Sequence, residues 1–300
     1  MTKGKRNYKN ISGDIADAAI GIIGFGHLGS SLAESLVKNG FPSERLLISH
    51  RGREATRARA FELGLGGCLA DNDELIERSD AVILGIRPQD VLSLPVSSLR
   101  SDALVVSCMA GLPSELLQSL LGVNVRRFMC SGPDTILEGR GISAMCRVDE
   151  EDKRIRRLLA MMGLEVLDVS SEEELDSFTV GICIPAMLLN MRIPRAEVLS
   201  AMDSMEKIYP VYGSLRHWIA EVTPEDAAKD SEQYLENVCT KGGVTEAMTV
   251  SLREGAAFEA ALHRGIERGR EITCDVMRKI DAVRFGQQIN RMRAEVLPVV

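Results

Sequence analysis

The residues whose type and spacing best suit chemistry are three glycines in the run Gly24-Phe25-Gly26-His27-Leu28-Gly29. Gly-x-Gly-x-x-Gly suits the binding of a dinucleotide. Gly24 permits a tight turn, Gly26 lets the backbone approach a pyrophosphate, and Gly29 lets the next helix lie close to the preceding strand. The first N–H groups of that helix, at the positive end of its dipole, then meet the phosphates. The hexamer alone is a weak signal, and its context strengthens it. Ala19 to Gly24 is a short apolar run, and Ser30 to Asn39 sets Leu32, Ala33, Leu36 and Val37 at helical spacing before Gly40.

A second apolar run, Arg45 to Ser49, refines the cofactor. Sites that prefer NAD carry Asp or Glu at the end of this strand to hold the ribose 2′-hydroxyl. Here the chain continues Ser49-His50-Arg51-Gly52-Arg53, with no carboxylate. A carboxylate would repel a 2′-phosphate, whereas Ser49 and Arg51 attract one. The expected cofactor is NADPH.

These groups need a scaffold to position them, and the hydrophobic pattern supplies one. From Ala18 to about Ser170, strand-like runs (Ala81 to Ile86, Ala103 to Cys108, Val125 to Met129, Gly141 to Cys146, Leu164 to Val169) alternate with helical stretches. That alternation predicts an α/β fold with a parallel sheet covered on both faces. Beyond Ser170 the period is helical: Val198 to Tyr209, Tyr212 to Val222, Pro224 to Val238, Glu246 to Glu254 and Ala256 to Asn290. The last reads as one long helix, or two broken near Gly265 to Gly269. The expected organisation is a flexible tail over residues 1–17, a Rossmann-type domain over 18–170 and an all-helical domain over 171–300.

Composition excludes several classes. The chain has 300 residues, 45% of them apolar, and a net charge of −7. A mildly acidic chain lacks the basic footprint of nucleic-acid or anionic-membrane binders, and no run approaches the roughly 18 apolar residues of a membrane span. The seven cysteines are odd in number and lack Cys-x-x-Cys spacing. They predict reduced thiols in a cytoplasmic protein. The four histidines are scattered, and no metal is expected.

Taken together, the motifs resemble the pyrroline-5-carboxylate reductase family. The glycine loop is similar to its first strand and turn, and Ser49-His50-Arg51 to its post-strand segment. Asp71-Asn72-Asp73-Glu74-Leu75, Ala81-Val82-Ile83-Leu84-Gly85-Ile86-Arg87-Pro88-Gln89 and Val105-Val106-Ser107-Cys108-Met109-Ala110-Gly111 match in order. So does Thr240-Lys241-Gly242-Gly243-Val244-Thr245-Glu246-Ala247-Met248. The resemblance implies reduction of 1-pyrroline-5-carboxylate to proline by NADPH, and a helical domain that forms a homodimer or higher oligomer. It implies cofactor contacts at Asn72, Ile86, Arg87, Pro88 and Ala110 beside the loop residues Gly24 to Gly29. It makes Thr245 the hydroxyl at the substrate nitrogen. Gly242, Gly243, Val244 and Thr245 form the turn whose N–H groups hold the substrate carboxylate, with donors from Gly243, Val244 and Thr245. Two segments depart from the family pattern, Met129 to Thr135 and Gly181 to Met187; in the second, small polar residues become Ile182, Cys183 and Ile184. The alternatives are a different imine or carbonyl substrate on the same fold, or a non-catalytic dinucleotide-binding protein.

Overall fold

The computed structural model describes residues 15–50, 52–94, 99–100, 102–146, 151–191, 193–223 and 239–296. Arg51, the helix expected over Pro224 to Val238 and residues 1–14 of the expected tail lie outside them. The chain divides into two compact units. One comprises Met1–Ile86, Pro95–Cys108 and Leu117–Ser171, the other Arg87–Leu94, Met109–Leu116 and Glu172–Val300. Ile15, inside the stretch expected to be tail, is buried in the core of the first unit.

The first unit is built on a sheet of eight strands among the described residues, ordered β3-β2-β1-β4-β5-β6-β7-β8. They are β1 (Ile20–Ile23), β2 (Leu46–Ser49), β3 (Leu69–Ala70), β4 (Ala81–Leu84), β5 (Leu104–Ser107), β6 (Val125–Cys130), β7 (Gly141–Cys146) and β8 (Leu164–Val169). Every residue of β1, β2, β4 and β5 is buried. Parallel strands covered on both faces read as continuous apolar runs for this reason. Helices α1 (His27–Lys38), α2 (Glu54–Glu62), α3 (Asn72–Arg78), α4 (Ser114–Leu121), α5 (Pro133–Leu137) and α6 (Glu151–Met161) connect the strands.

The sheet departs from the all-parallel expectation at one place. β7 runs antiparallel to β6, with Met129 opposite Ala144. The link between them, residues 131–140, holds only the short α5. A parallel return needs a crossover of a dozen residues or more, so a link this short reverses the chain instead.

The second unit contains α7 (Glu172–Gly181), α8 (Ile184–Met191), α9 (Arg195–Glu206), α10 (Val211–Val222), α11 (Val244–Arg253) and α12 (Phe258–Val296). α12 is one continuous helix, not two. Two close approaches are made along it. A Cβ at Gly265 would lie 3.0 Å from Met248 Cγ and 3.1 Å from Val180 Cγ2. Gly111, at φ +73°, lies against α12 so closely that a Cβ there would meet Gly269 O at 2.6 Å. Carboxylates from other helices cap two N-termini. Glu174 accepts from Val211 N–H at 3.0 Å, and Glu197 from Phe258 N–H at 3.0 Å. Each answers a donor that the helix leaves without an internal partner.

Candidate functional site

In the first unit, β1 ends at Ile23 and α1 begins at His27, so the glycine loop is the whole connection. Gly24 has φ +106°, and a Cβ there would meet Gly85 O at 2.5 Å. A Cβ at Gly29 would meet Gly24 O at 1.9 Å, so the first turn of α1 can rest on the loop only without a side chain. Gly26, the N-cap, is the opposite case. It is exposed, and a Cβ would find no atom within 4 Å. His27 is exposed as well, Leu28 is half-buried, and Phe25 is buried in the core. The loop therefore presents an open glycine and the uncapped N-terminus of a 12-residue helix on one side, with no side-chain cap from Gly26. A pyrophosphate fits such a cradle, because the N–H groups and the dipole both favour an anion.

The end of β2 and the start of α3 come together next to it. Ser49, buried, donates its hydroxyl to Asn72 Oδ1. Asp71 caps α3, accepting from Glu74 N–H at 2.8 Å, and so fixes Asn72 at the first helical position. Ile86, half-buried, follows β4 beside the pair Gly24 and Gly85. Cys108 lies beyond Gly85, and burial pushes its thiol up to about 12.

In the second unit, Arg87 precedes a short 3-10 helix that Pro88 opens, and its Nε lies 3.4 Å from Asp90 Oδ2. Ala110 is half-buried, and the next residue, Gly111, accepts a hydrogen bond from the Thr273 hydroxyl through its carbonyl. The turn before α11 has Gly242 at φ +74° and Gly243 as N-cap. Its donors are partly engaged within the chain. Gly243 N–H donates to Thr240 O at 2.8 Å, and Gly242 N–H to the Glu246 carboxylate at 2.6 Å. Val244 and Thr245 begin the helix, where N–H groups have no intrahelical acceptor.

Thr245 is buried, with its hydroxyl 3.2 Å from Cys183 Sγ. The thiol is also 3.2 Å from Thr179 O, and Thr249 donates its hydroxyl to Thr245 O at 2.8 Å. Burial pushes Cys183 up to about 11, against the smaller opposing effect of the Thr245 hydrogen bond. The altered segment Gly181 to Met187 thus meets the Thr245 turn through Cys183. Ile184 and Met187 are fully buried in the second unit, and Ile182 is half-buried. In the other altered segment, Ser131 is fully buried. Its hydroxyl accepts from Thr135 at 2.7 Å and from Ile142 N–H at 3.1 Å, a local structural task at the start of α5. Sequence reasoning passed over Glu246. The glycine N-cap followed three residues later by Glu is the signal that could have found it, since a carboxylate at the third helical position reaches back to the turn.

Known proteins bear on this arrangement. The family described as NADP oxidoreductase, coenzyme F420-dependent, matches residues 19–111. A pyrroline-5-carboxylate reductase of Pseudomonas aeruginosa is 26% identical over 275 residues, covering 84% of this chain and 96% of that protein. That of Haemophilus influenzae is 26% identical over 238 residues, covering 76% and 86%. Among solved structures, a Plasmodium falciparum pyrroline carboxylate reductase with NADP bound aligns with TM-score 0.55 at 18% identity, covering 86% of this chain and 99% of that one. At that identity the structural likeness establishes the fold, a Rossmann-like, mostly parallel sheet followed by a helical region.

Proposed function

We propose that the chain, similar over most of its length to proteins of the pyrroline-5-carboxylate reductase family, reduces the C=N bond of a small cyclic imine with NADPH. The family's own member of that substrate class is 1-pyrroline-5-carboxylate, reduced to proline. The observation that carries the reading is the Thr245 hydroxyl, held by Cys183 at the first turn of α11 where the resemblance places the nitrogen-side hydroxyl.

In this reading the loop Gly24 to Gly29 and the N-terminus of α1 hold the pyrophosphate. Ser49, Arg51 and Asn72 hold the 2′-phosphate end, which distinguishes NADPH from NADH. Ile86, Arg87, Pro88 and Ala110 complete the cofactor contacts. Bound there, NADPH supplies the hydride for the imine carbon. The Thr245 hydroxyl holds the ring nitrogen, and the first N–H groups of α11 hold a polar substituent of the ring. Holding the reacting atoms in place is most of what this chemistry asks of a protein. The protein acts in the cytoplasm as a homodimer or higher oligomer joined through its helical unit. A second reading, a cyclic imine other than 1-pyrroline-5-carboxylate, is favoured by the Glu246 carboxylate already bound at the turn.

The test is consumption of NADPH by the purified protein with 1-pyrroline-5-carboxylate and other cyclic imines, repeated with Thr245→Ala. Turnover that falls roughly tenfold or more without the hydroxyl supports the reading, on the scale of one lost hydrogen bond. Turnover that Thr245→Ala leaves untouched removes Thr245 from the site, and no turnover on any imine removes the reaction.

A further inference from the structure

Glu246 places a negative charge on the turn that this reading gives to the substrate. Its Oε2 accepts the Gly242 N–H at 2.6 Å, while Gly243 N–H is taken by Thr240 O at 2.8 Å. The arginine at the turn is engaged with other partners. Arg268 donates from Nε to Gly242 O at 2.9 Å and from Nη1 to Glu271 at 2.7 Å, and Glu271 also accepts from Arg264 at 2.8 Å. Lys241 is exposed, where water screens its charge. Glu246 itself is half-buried, so its charge is screened less by water and salt.

The polarity of the Thr245 hydroxyl points the same way. Cys183 Sγ lies 3.2 Å from Thr179 O and 3.2 Å from Thr245 Oγ1. A carbonyl oxygen can only accept, and a thiol has a single hydrogen. The thiol therefore donates to Thr179 O, and the Thr245 hydroxyl donates to sulfur. Thr245 Oγ1 is left with lone pairs to offer, which suit a protonated nitrogen carrying N–H rather than a neutral imine nitrogen, itself an acceptor.

We infer that this turn selects a cyclic iminium whose charge is the nitrogen alone, a 1-pyrroline-type ring without a carboxylate, and that Glu246 is the residue that sets this preference. The inference rests on the imine-reductase reading and names its substrate class. The Glu246 carboxylate stands in for the one a substrate would bring. A second carboxylate on the same helix start meets a like charge, and specificity of this kind comes from the repulsion as much as from the contact retained.

Glu246→Gln tests it, because the amide oxygen still accepts from Gly242 N–H while the charge is gone. With NADPH, the unaltered protein is expected to favour 1-pyrroline over 1-pyrroline-5-carboxylate in kcat/KM by roughly tenfold or more, as expected for like charges at a few ångströms. Glu246→Gln is expected to remove most of that preference, with the melting temperature and the Kd for NADPH unchanged. A preference for 1-pyrroline-5-carboxylate, or a ratio that Glu246→Gln does not move, overturns the inference. A binding arm separates it from the reaction itself: calorimetric titration of the NADP-saturated protein with pyrrolidine and with proline. Tighter binding of pyrrolidine, with the gap closing in Glu246→Gln, supports the inference even if no imine turns over, an outcome that sinks the reductase reading alone. Equal affinity, or binding of neither, overturns the inference even if imines are reduced.

Discussion

Gly24, Gly26 and Gly29 have the same side chain and three different constraints. Gly29 has no room, since a Cβ would stand 1.9 Å from Gly24 O. Gly29→Ala is expected to destabilise the first unit by about 1–3 kcal/mol, the usual cost of overpacking against backbone, and to abolish NADPH binding. Gly26 has room and an ordinary extended backbone, φ −84° and ψ −163°. Gly26→Ala is expected to leave the melting temperature in place, with a stability change within about 0.5 kcal/mol. It should still weaken NADPH binding, because the methyl occupies the approach of the pyrophosphate. Fluorescence titration beside thermal melts checks both, and equal NADPH affinity in Gly26→Ala and the parent would contradict the placement of the phosphates. This loop was legible in the sequence because its constraints are local, a turn and a helix start within six residues. The contact of Cys183 with Thr245 was not, since it joins residues 62 apart through the packing of α7 against α11. Cys183 reads in sequence as an inert buried thiol, and burial does push its pKa up to about 11, but the hydrogen bond to Thr245 is visible only in the fold.

At the scale of elements, periodicity located the strands and most helices, and direction was the harder quantity. Nothing in the alternation of Gly141 to Cys146 says which way β7 runs; the length of the link before it does. The glycines of α12 show a similar limit. In sequence Gly265 to Gly269 leaves room for a helix break beside one long helix, whereas in the fold Gly265 packs closely on Met248 and Val180 and the helix runs on. The neighbours also rank the substitutions. Gly265→Ala meets only side chains, Met248 at Cγ and Sδ and Val180 at Cγ2, and is expected to cost under about 1.5 kcal/mol, as small core adjustments do. Gly111→Ala adds a left-handed backbone, costing about 1–2 kcal/mol, to a contact with the carbonyl of Gly269 that cannot move away. Urea denaturation is expected to place Gly111→Ala well below Gly265→Ala in stability. The reverse order would contradict the packing of residues 109–116 on α12. Glu197→Ala should cost about 1 kcal/mol by uncapping Phe258, as loss of an N-cap acceptor does.

At the scale of the whole molecule, the sequence changes period near Ser170. That Arg87–Leu94 and Met109–Leu116 group with the helical unit was not visible there, because both follow strands of the first unit in sequence and find their partners far along the chain. The buried thiols give the chain a pH dependence. Burial raises Cys183 to about 11 and Cys108 to about 12, from an ordinary value of 9.0. A group held more tightly protonated in the folded state adds stability below its unfolded pKa and loses it as pH rises toward the folded one. Stability is therefore expected to fall from about pH 9 to about pH 12, by up to about 1.4 kcal/mol per pH unit for each thiol. Urea melts across that range check it, and Cys183→Ala should flatten the slope. In the same state at neutral pH, iodoacetamide should label the exposed Cys274 and spare the buried Cys108.

The proposed reaction is hydride transfer from NADPH to the carbon of a cyclic C=N bond. It is tested most directly by offering the protein NADPH deuterated at the nicotinamide C4 position, together with 1-pyrroline and 1-pyrroline-5-carboxylate, and finding where the label goes. The expected product is a cyclic amine carrying deuterium on the carbon next to nitrogen, formed faster with NADPH than with NADH. NADPH that binds while no labelled amine appears from any cyclic imine would contradict it.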